Sequence, residues 1–267
     1  MEEGTREMPV NNAKCSHYSF LSDTAVKEAM ESNPFEKINC VVIKELERAI
    51  ITAKFHPGQK LNISRIAETM NVSPTPVWEA IEYLRDIGLV TAEPIANSRR
   101  NAYRVFEISN NEVEDFFQAR SALETKAAQI CAEKNWNVDL ELLGRYANTF
   151  EENLKGFASG ADKPEKSYIE TAKLDREFHQ LLVRSTKNRF LIESYEALER
   201  INHYLSIKTS YYVGLQLSSD DARALGYHHM SIYTAIKNGY ADIARNQMCT
   251  HLEFCSNHYL RNRNLEP

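Results

Sequence analysis

Residues 60–90 carry the pattern that most narrows the fold. Ile66, Ala67 and Met70 form a short apolar stripe behind Ser64, Asn71-Val72 reads as a tight turn, and Ser73-Pro74 opens a second stripe of Val77, Ala80, Ile81 and Leu84 that ends at Gly88. Apolar spacings of three and four predict two helices, with Ser64 and Ser73 as their caps. Pro74 falls at the first helical position, where its missing N–H loses nothing, and Gly88 suits a left-handed residue after the last turn. Upstream, Ile38, Val41, Val42, Leu46, Ala49 and Ile50 predict a third helix, stopped before His56-Pro57-Gly58. Leu61 to Ile63 is short and apolar. Downstream, Leu89–Ala92 and Ala102–Val105 predict two short strands around the polar tip Glu93–Asn101. Three helices and a β-hairpin predict a winged helix-turn-helix over residues 35–109.

Such a unit reads DNA by laying its second helix, N-terminus first, into the major groove. Here the first-turn N–H groups and the Ser73 and Thr75 hydroxyls suit a phosphate. Arg99 and Arg100 at the hairpin tip can reach a phosphate or a minor groove, and Lys60 and Arg65 add backbone contacts. Overall charge does not announce nucleic-acid binding: 32 basic against 37 acidic side chains give −5. Residues 37–109 hold ten basic and eight acidic side chains, whereas residues 110–267 hold 19 and 22. The difference is small, and its sign favours the smaller unit as the one that meets phosphates.

The rest of the chain predicts helices. Glycine and proline number only 9 and 8 in 267 residues. Helical periodicity runs through Asn111–Glu133, Asp139–Lys155, Glu165–Ser185, Arg189–Ser210, Ser219–Asn238 and Ala241–Arg261, which predicts an all-α antiparallel bundle of about six helices over residues 110–262. The fold class is mainly α. Residues 1–34 read as an arm, partly mobile, with a short helix over Ser22–Ser32; residues 263–267 are a tail. No apolar run approaches the ~20 residues of a membrane span, and no secretory pattern opens the chain. Five cysteines without a C-x-x-C spacing fit a reduced cytoplasmic protein.

Asp175 and His179 stand four apart inside a predicted helix, on one face and about 5–6 Å between Cβ atoms. Leu174, Phe178, Leu181 and Leu182 on neighbouring rows turn that face toward the core, where a carboxylate and an imidazole need a partner or a cation. His229 and His251 lie on the last two predicted helices, which a short turn can bring level. Three imidazoles and one carboxylate suit Zn, Ni, Mn or Fe as a divalent ion, with open positions for water or an incoming carboxylate. Arg184 and Asn202 are candidate effector contacts by helix position. There is no nucleophile elbow, P-loop or dinucleotide fingerprint. Glu177, the one candidate base nearby, points away from Asp175 and His179, so an enzyme is the weakest of the function classes.

Two stretches resemble a known family. Pro57-Gly58-Gln59-Lys60-Leu61-Asn62, Ile66-Ala67, Val72-Ser73, Thr75-Pro76-Val77, Glu79-Ala80, Leu84 and Gly88-Leu89-Val90 resemble the DNA-binding domain of the GntR family of bacterial transcription regulators. Arg120-Ser121-Ala122-Leu123-Glu124, Asp175-Arg176-Glu177-Phe178-His179, Asn188, His229-Met230-Ser231-Ile232, Ala235-Ile236, Ala244, Met248 and His251-Leu252 resemble the FCD effector domain of its FadR-type branch. The resemblance implies a homodimeric regulator that binds a double-stranded DNA operator. It implies a divalent metal on Asp175, His179, His229 and His251, and a small carboxylate metabolite as effector, gripped in part by Arg120. The alternative for Arg120 is a pairing with Glu124 at i+4 or with the DNA-binding unit. Two positions depart from the family's Ser-Arg-Thr-Pro-Val-Arg-Glu-Ala: Pro74 and Trp78 stand where it has arginines. Trp78 then meets a sugar or a thymine methyl, and Thr75, Arg99 and Arg100 carry more of the DNA contact. The departure also motivates an alternative function, a metal-dependent sensor or interaction protein with weakened DNA binding.

Overall fold

A computed structural model describes residues 18, 20, 21, 23–32, 37–98, 101–159, 164–216 and 219–262. Residues 1–17 of the arm, Ser22, Arg99, Arg100 and the tail 263–267 lie outside the described residues. The chain begins with α1 (Asp23–Ser32) and α2 (Ile38–Ile51). The strand β1 (Lys60–Leu61), the helices α3 (Ile63–Met70) and α4 (Pro74–Asp86), and the strands β2 (Val90–Pro94) and β3 (Asn101–Val105) complete the small unit. The larger one contains α5 (Asn110–Glu133), a 3-10 turn at Asn135–Asn137, α6 (Leu140–Ser159), α7 (Pro164–Ser185), α8 (Arg189–Glu196), α9 (Glu199–Gln216), α10 (Ser219–Lys237) and α11 (Ala241–Asn262).

The small unit is a winged helix-turn-helix whose capping differs from expectation in detail. Asn62, not Ser64, caps α3: its side chain accepts the Arg65 N–H at 3.1 Å, one residue before the helix begins. Asn71 ends α3 in the left-handed region (φ 53), a conformation asparagine tolerates better than most residues. Ser73 occupies the N-cap of α4 with Pro74 at N1, but its hydroxyl makes no cap hydrogen bond. The wing has a third strand: β1 pairs antiparallel with β3, so the order is β1-β3-β2. The pairs Lys60↔Arg104 and Leu61↔Tyr103 set that edge, and Val90↔Val105 through Pro94↔Asn101 set the hairpin. A two-residue strand leaves no period to read, which hid it.

The described part of the arm packs down instead of standing apart. Tyr18, Leu21 and Val26 are buried, and the Tyr18 and Phe55 rings meet edge to face at 5.1 Å. In the bundle, the helix expected over Arg189–Ser210 is two, α8 and α9. Leu198 bonds back to the Tyr195 carbonyl at 2.9 Å, one residue short of the α pattern. No glycine or proline marks that break. Instead Tyr195 is buried and its hydroxyl accepts from Asn202 Nδ2 at 3.0 Å across it.

One apolar core runs from α2, α3 and α4 (Val42, Leu46, Ile66, Leu84) into α5 and α9 (Phe116, Phe117, Tyr204, Leu205). A second, built on Leu143, Phe178, Ile232 and Met248, fills the far end of the bundle. The two sequence units therefore meet through α9. Phe106 and Tyr204 touch edge to face at 4.9 Å, and the buried Lys208 ammonium donates to the Ile51 carbonyl at 3.2 Å. Gly88, at φ +86, lets the backbone pass so close to Arg200 that a Cβ there would stand 2.8 Å from its carbonyl oxygen.

Candidate functional site

α7 carries Asp175 and His179 one turn apart, α10 carries His229 and α11 carries His251. Their burying neighbours, Phe178, Ile232, Met248 and Leu252, are the apolar stripes that pack these three helices together. Packing therefore aims the four polar side chains at one point. One ligand atom from each lies within 4.8 Å of all the others. His179 Nε2 and His251 Nε2 are 3.1 Å apart, and Asp175 Oδ1 stands 3.3 Å from His229 Nε2, 3.6 Å from His179 Nε2 and 3.9 Å from His251 Nε2. Nitrogens bound at ~2.0–2.1 Å to one ion at right angles would be about 3 Å apart, so these separations fit a shared cation.

The electrostatics fit at His229 and His251, while His179 has to give up a proton to bind a metal. All three imidazoles are fully enclosed. Nδ1 of His251 has no hydrogen-bond partner, an expensive condition for a buried polar atom, and Nε2 of His229 faces the Asp175 carboxylate at 3.3 Å. Burial, with like-charged imidazoles beside it, pushes His251 well below the usual histidine range; burial also lowers His229 against the pull of Asp175. Both rings are thus neutral, the form that donates to a metal. Burial would lower His179 too, but the Glu124 and Asp175 carboxylates outweigh it and hold its pKa at about 9. Asp175 is kept ionised, far below its usual value, by His179 and His229 despite burial.

Glu124, on α5, is a site residue that the sequence pattern does not single out. It contacts His179 Nδ1 with one carboxylate oxygen, while Arg120 Nε donates to the other at 2.5 Å. The visible signal was a charged i,i+4 pair on a face otherwise made of Phe116, Phe117, Ala127 and Ala128. Burial opposes both charges, yet each keeps the other ionised. A carboxylate on the far nitrogen of a metal-binding histidine fixes the tautomer and raises its basicity.

Arg120 also borders a cavity of about 20 Å³ beside Asp175, with Phe117, Ser206, Thr209 and Cys255 among its other walls. That is room for one water. Asn202 is buried next to that wall, within 3.5 Å of the Ser206 hydroxyl. Arg184 is not among the cavity's walls: it is exposed and faces Glu196 at 3.8 Å. Cys255 Sγ lies 3.8 Å from His251 Nε2.

On the small unit, Ser73 and Thr75 are exposed at the start of α4, and Trp78 is 50% exposed one turn later. Beside it on the wing, the Tyr103 hydroxyl of β3 donates to Glu82 of α4. Lys60 is exposed on β1; Arg65 is half-buried, its guanidinium 5.8 Å from the Tyr18 ring centre.

Residues 115–254 match the FCD domain family, and residues 41–95 match the bacterial regulatory proteins of the gntR family. The HTH-type transcriptional regulator YdhC of Bacillus subtilis (strain 168) is 24% identical over 215 residues, covering 80% of this chain and 87% of YdhC. The Glc operon transcriptional activator of Escherichia coli (strain K12) is 23% identical over 226 residues, covering 79% and 85%. Among solved structures, E. coli McbR/YncC superposes with a TM-score of 0.53 at 16% identity, covering 86% of this chain and 100% of that one, a likeness of fold. The chain belongs to the GntR family of DNA-binding transcription regulators and carries an FCD domain. Its relatives are regulators, not enzymes. Among the described residues no helix is long and apolar enough to cross a membrane.

Proposed function

We propose that the chain is a ligand-responsive regulator with three parts. A divalent metal sits on Asp175, His179, His229 and His251. A small organic acid binds beside it against Arg120. A homodimer presents Ser73, Thr75 and Trp78, with Lys60, Arg65, Arg99 and Arg100, to an operator. The observation that carries it is the convergence of three fully buried imidazoles and one carboxylate, with one ligand atom of each within 4.8 Å of all the others.

When bound, the metal supplies positive charge that attracts an anionic ligand. The chain's own residues do the rest. Glu124 holds the His179 ring in place, and Arg120 holds Glu124. α9 links the cavity to the reading unit: Ser206 and Thr209 face the cavity, while Lys208 reaches the C-terminal end of α2. The cavity's volume is that of one water, so an acid of several heavy atoms must displace α9 or α5 to enter. Displacing α9 moves the seat of the winged helix and, in a dimer, the spacing of the two reading helices, which operator half-sites must match.

The test is fluorescence anisotropy with the chain's own upstream DNA and metal-loaded protein, across a panel of small carboxylates. The expected result is a salt-dependent complex whose affinity one acid changes. Absence of binding down to very low ionic strength, or a complex indifferent to every acid and to metal removal, overturns the proposal.

A further inference from the structure

Hydroxyl side chains gather on the cavity wall beside Asp175. Ser206, Thr209 and Ser210 of α9 line it, and their i, i+3, i+4 spacing puts all three on one helix face. Thr171 lines it from α7, about 6 Å along that helix from Asp175 and on the side away from His179. Thr171, Ser206 and Ser210 are each more than nine-tenths buried. Thr171 accepts from Asn153 Nδ2 at 3.3 Å, and Ser206 lies 3.5 Å from Asn202 Oδ1. Thr209 and Ser210 have no hydrogen-bond partner among the described residues. A hydroxyl buried in that condition is costly until a ligand supplies a partner. Positive charge is scarcer here than hydroxyls. Arg120, the cationic side chain on this wall, already gives two nitrogens to Glu124, at 2.5 and 3.4 Å. Phe117, Phe150 and Leu225 make other parts of the wall apolar.

We propose that the effector is a monocarboxylic acid with hydroxyl groups along its chain, its carboxylate at the Asp175 end of the cavity and its hydroxyls bonded to Thr171, Ser206, Thr209 and Ser210. The assignment rests on the metal-and-acid reading proposed above and adds the chemistry of the acid. Each of these side chains can donate or accept, so it suits a neutral hydroxyl. A second carboxylate would be buried beside Asp175 with Arg120 already committed to Glu124. An unsubstituted chain would leave the α9 hydroxyls unpaired, the penalty by which a polar site rejects an analogue that lacks the matching group. Three of the four hydroxyls stand on α9, the helix that seats the winged unit. The hydroxylated part of the acid therefore pulls on α9, while its carboxylate stays by the metal.

Titration calorimetry on the full-length, metal-loaded protein tests this with three four-carbon acids: butyrate, 3,4-dihydroxybutyrate and succinate. The hydroxyls of the second lie too far from its carboxylate to close the small chelate ring that a 2-hydroxy acid forms on a metal, so they report on the protein wall. The dihydroxy acid is expected to bind at least about tenfold tighter than either of the others. In Thr209→Val/Ser210→Ala the ratio of its affinity to that of butyrate should fall to near one. Butyrate or succinate binding the wild type as tightly as the dihydroxy acid overturns the inference and leaves the acid site standing. A preference that survives in the variant has its source away from α9 and also overturns it. No binding of any of the three acids, or of a wider panel, to protein that has taken up its metal overturns the acid-effector reading itself. If the double variant does not fold, Ser206→Ala is read by the same ratio.

Discussion

Glu124→Gln separates two roles that the structure gives one carboxylate. Glu124 and Arg120 are 1% and 3% exposed, joined at 2.5 Å, and Glu124 also touches His179. The variant leaves the Arg120 charge buried without its counter-ion, a loss of about 3–5 kcal/mol. At ~2–4 °C per kcal/mol for a chain of this size, the midpoint of the chelator-treated protein should fall by roughly 6–20 °C. Metal affinity should fall separately, by about 10–100-fold, because the amide holds the His179 ring without charge. Scanning fluorimetry reads the first effect and titration calorimetry the second. The double variant Arg120→Met/Glu124→Gln distinguishes them: with the stranded charge gone, most of the midpoint should return, while metal affinity stays low. Wild-type metal affinity in Glu124→Gln would refute the carboxylate–imidazole–metal chain. A double variant no more stable than the single one would refute the stranded-charge explanation.

Three further outcomes follow from single contacts. Gly88→Ala combines a positive φ with a Cβ 2.8 Å from the Arg200 carbonyl, so it should lose at least about 1–2 kcal/mol in denaturant unfolding; a neutral effect would mean that the α4 turn and α9 are not in close contact. Lys208→Met keeps the buried stem but removes the donor to the Ile51 carbonyl, and should cost about 1–3 kcal/mol while weakening the effect of metal removal on DNA affinity; an unchanged response would disconnect α9 from signalling. Trp78→Arg returns the family's residue to the exposed face of α4 and should sharpen discrimination between operator and mismatched DNA by about 1–3 kcal/mol, read by competition anisotropy; no gain would show that this position does not face bases.

The winged helix was legible because its residues obey local rules: two apolar stripes, a turn and a proline at N1. What local rules do not reach was missed. β1 is two residues long and exists only because β3 offers it an edge. The α8–α9 break has no glycine or proline and depends on Tyr195 and Asn202 meeting across it. Asp175, His179, His229 and His251 were legible as donors because an inward-facing polar residue on an apolar helix is costly without a partner. Glu124 was hidden by its own neighbour, since a pair at i,i+4 with Arg120 explains both residues until a third helix sets His179 against them. The seat between the two units was not legible either: Lys208 and Tyr204 pack α9 of the bundle against the winged unit, a contact between distant stretches that no periodicity encodes.

The central claim is that one cation is gripped by the four converging side chains. Crystals of protein purified without chelator, measured at the absorption edges of zinc, nickel, manganese and iron, test it most directly. The expected result is a single anomalous peak per chain, bonded to Asp175 and to the Nε2 atoms of His179, His229 and His251. A metal found elsewhere, or four side chains that stay together with no ion between them under every metal supplied, would contradict it.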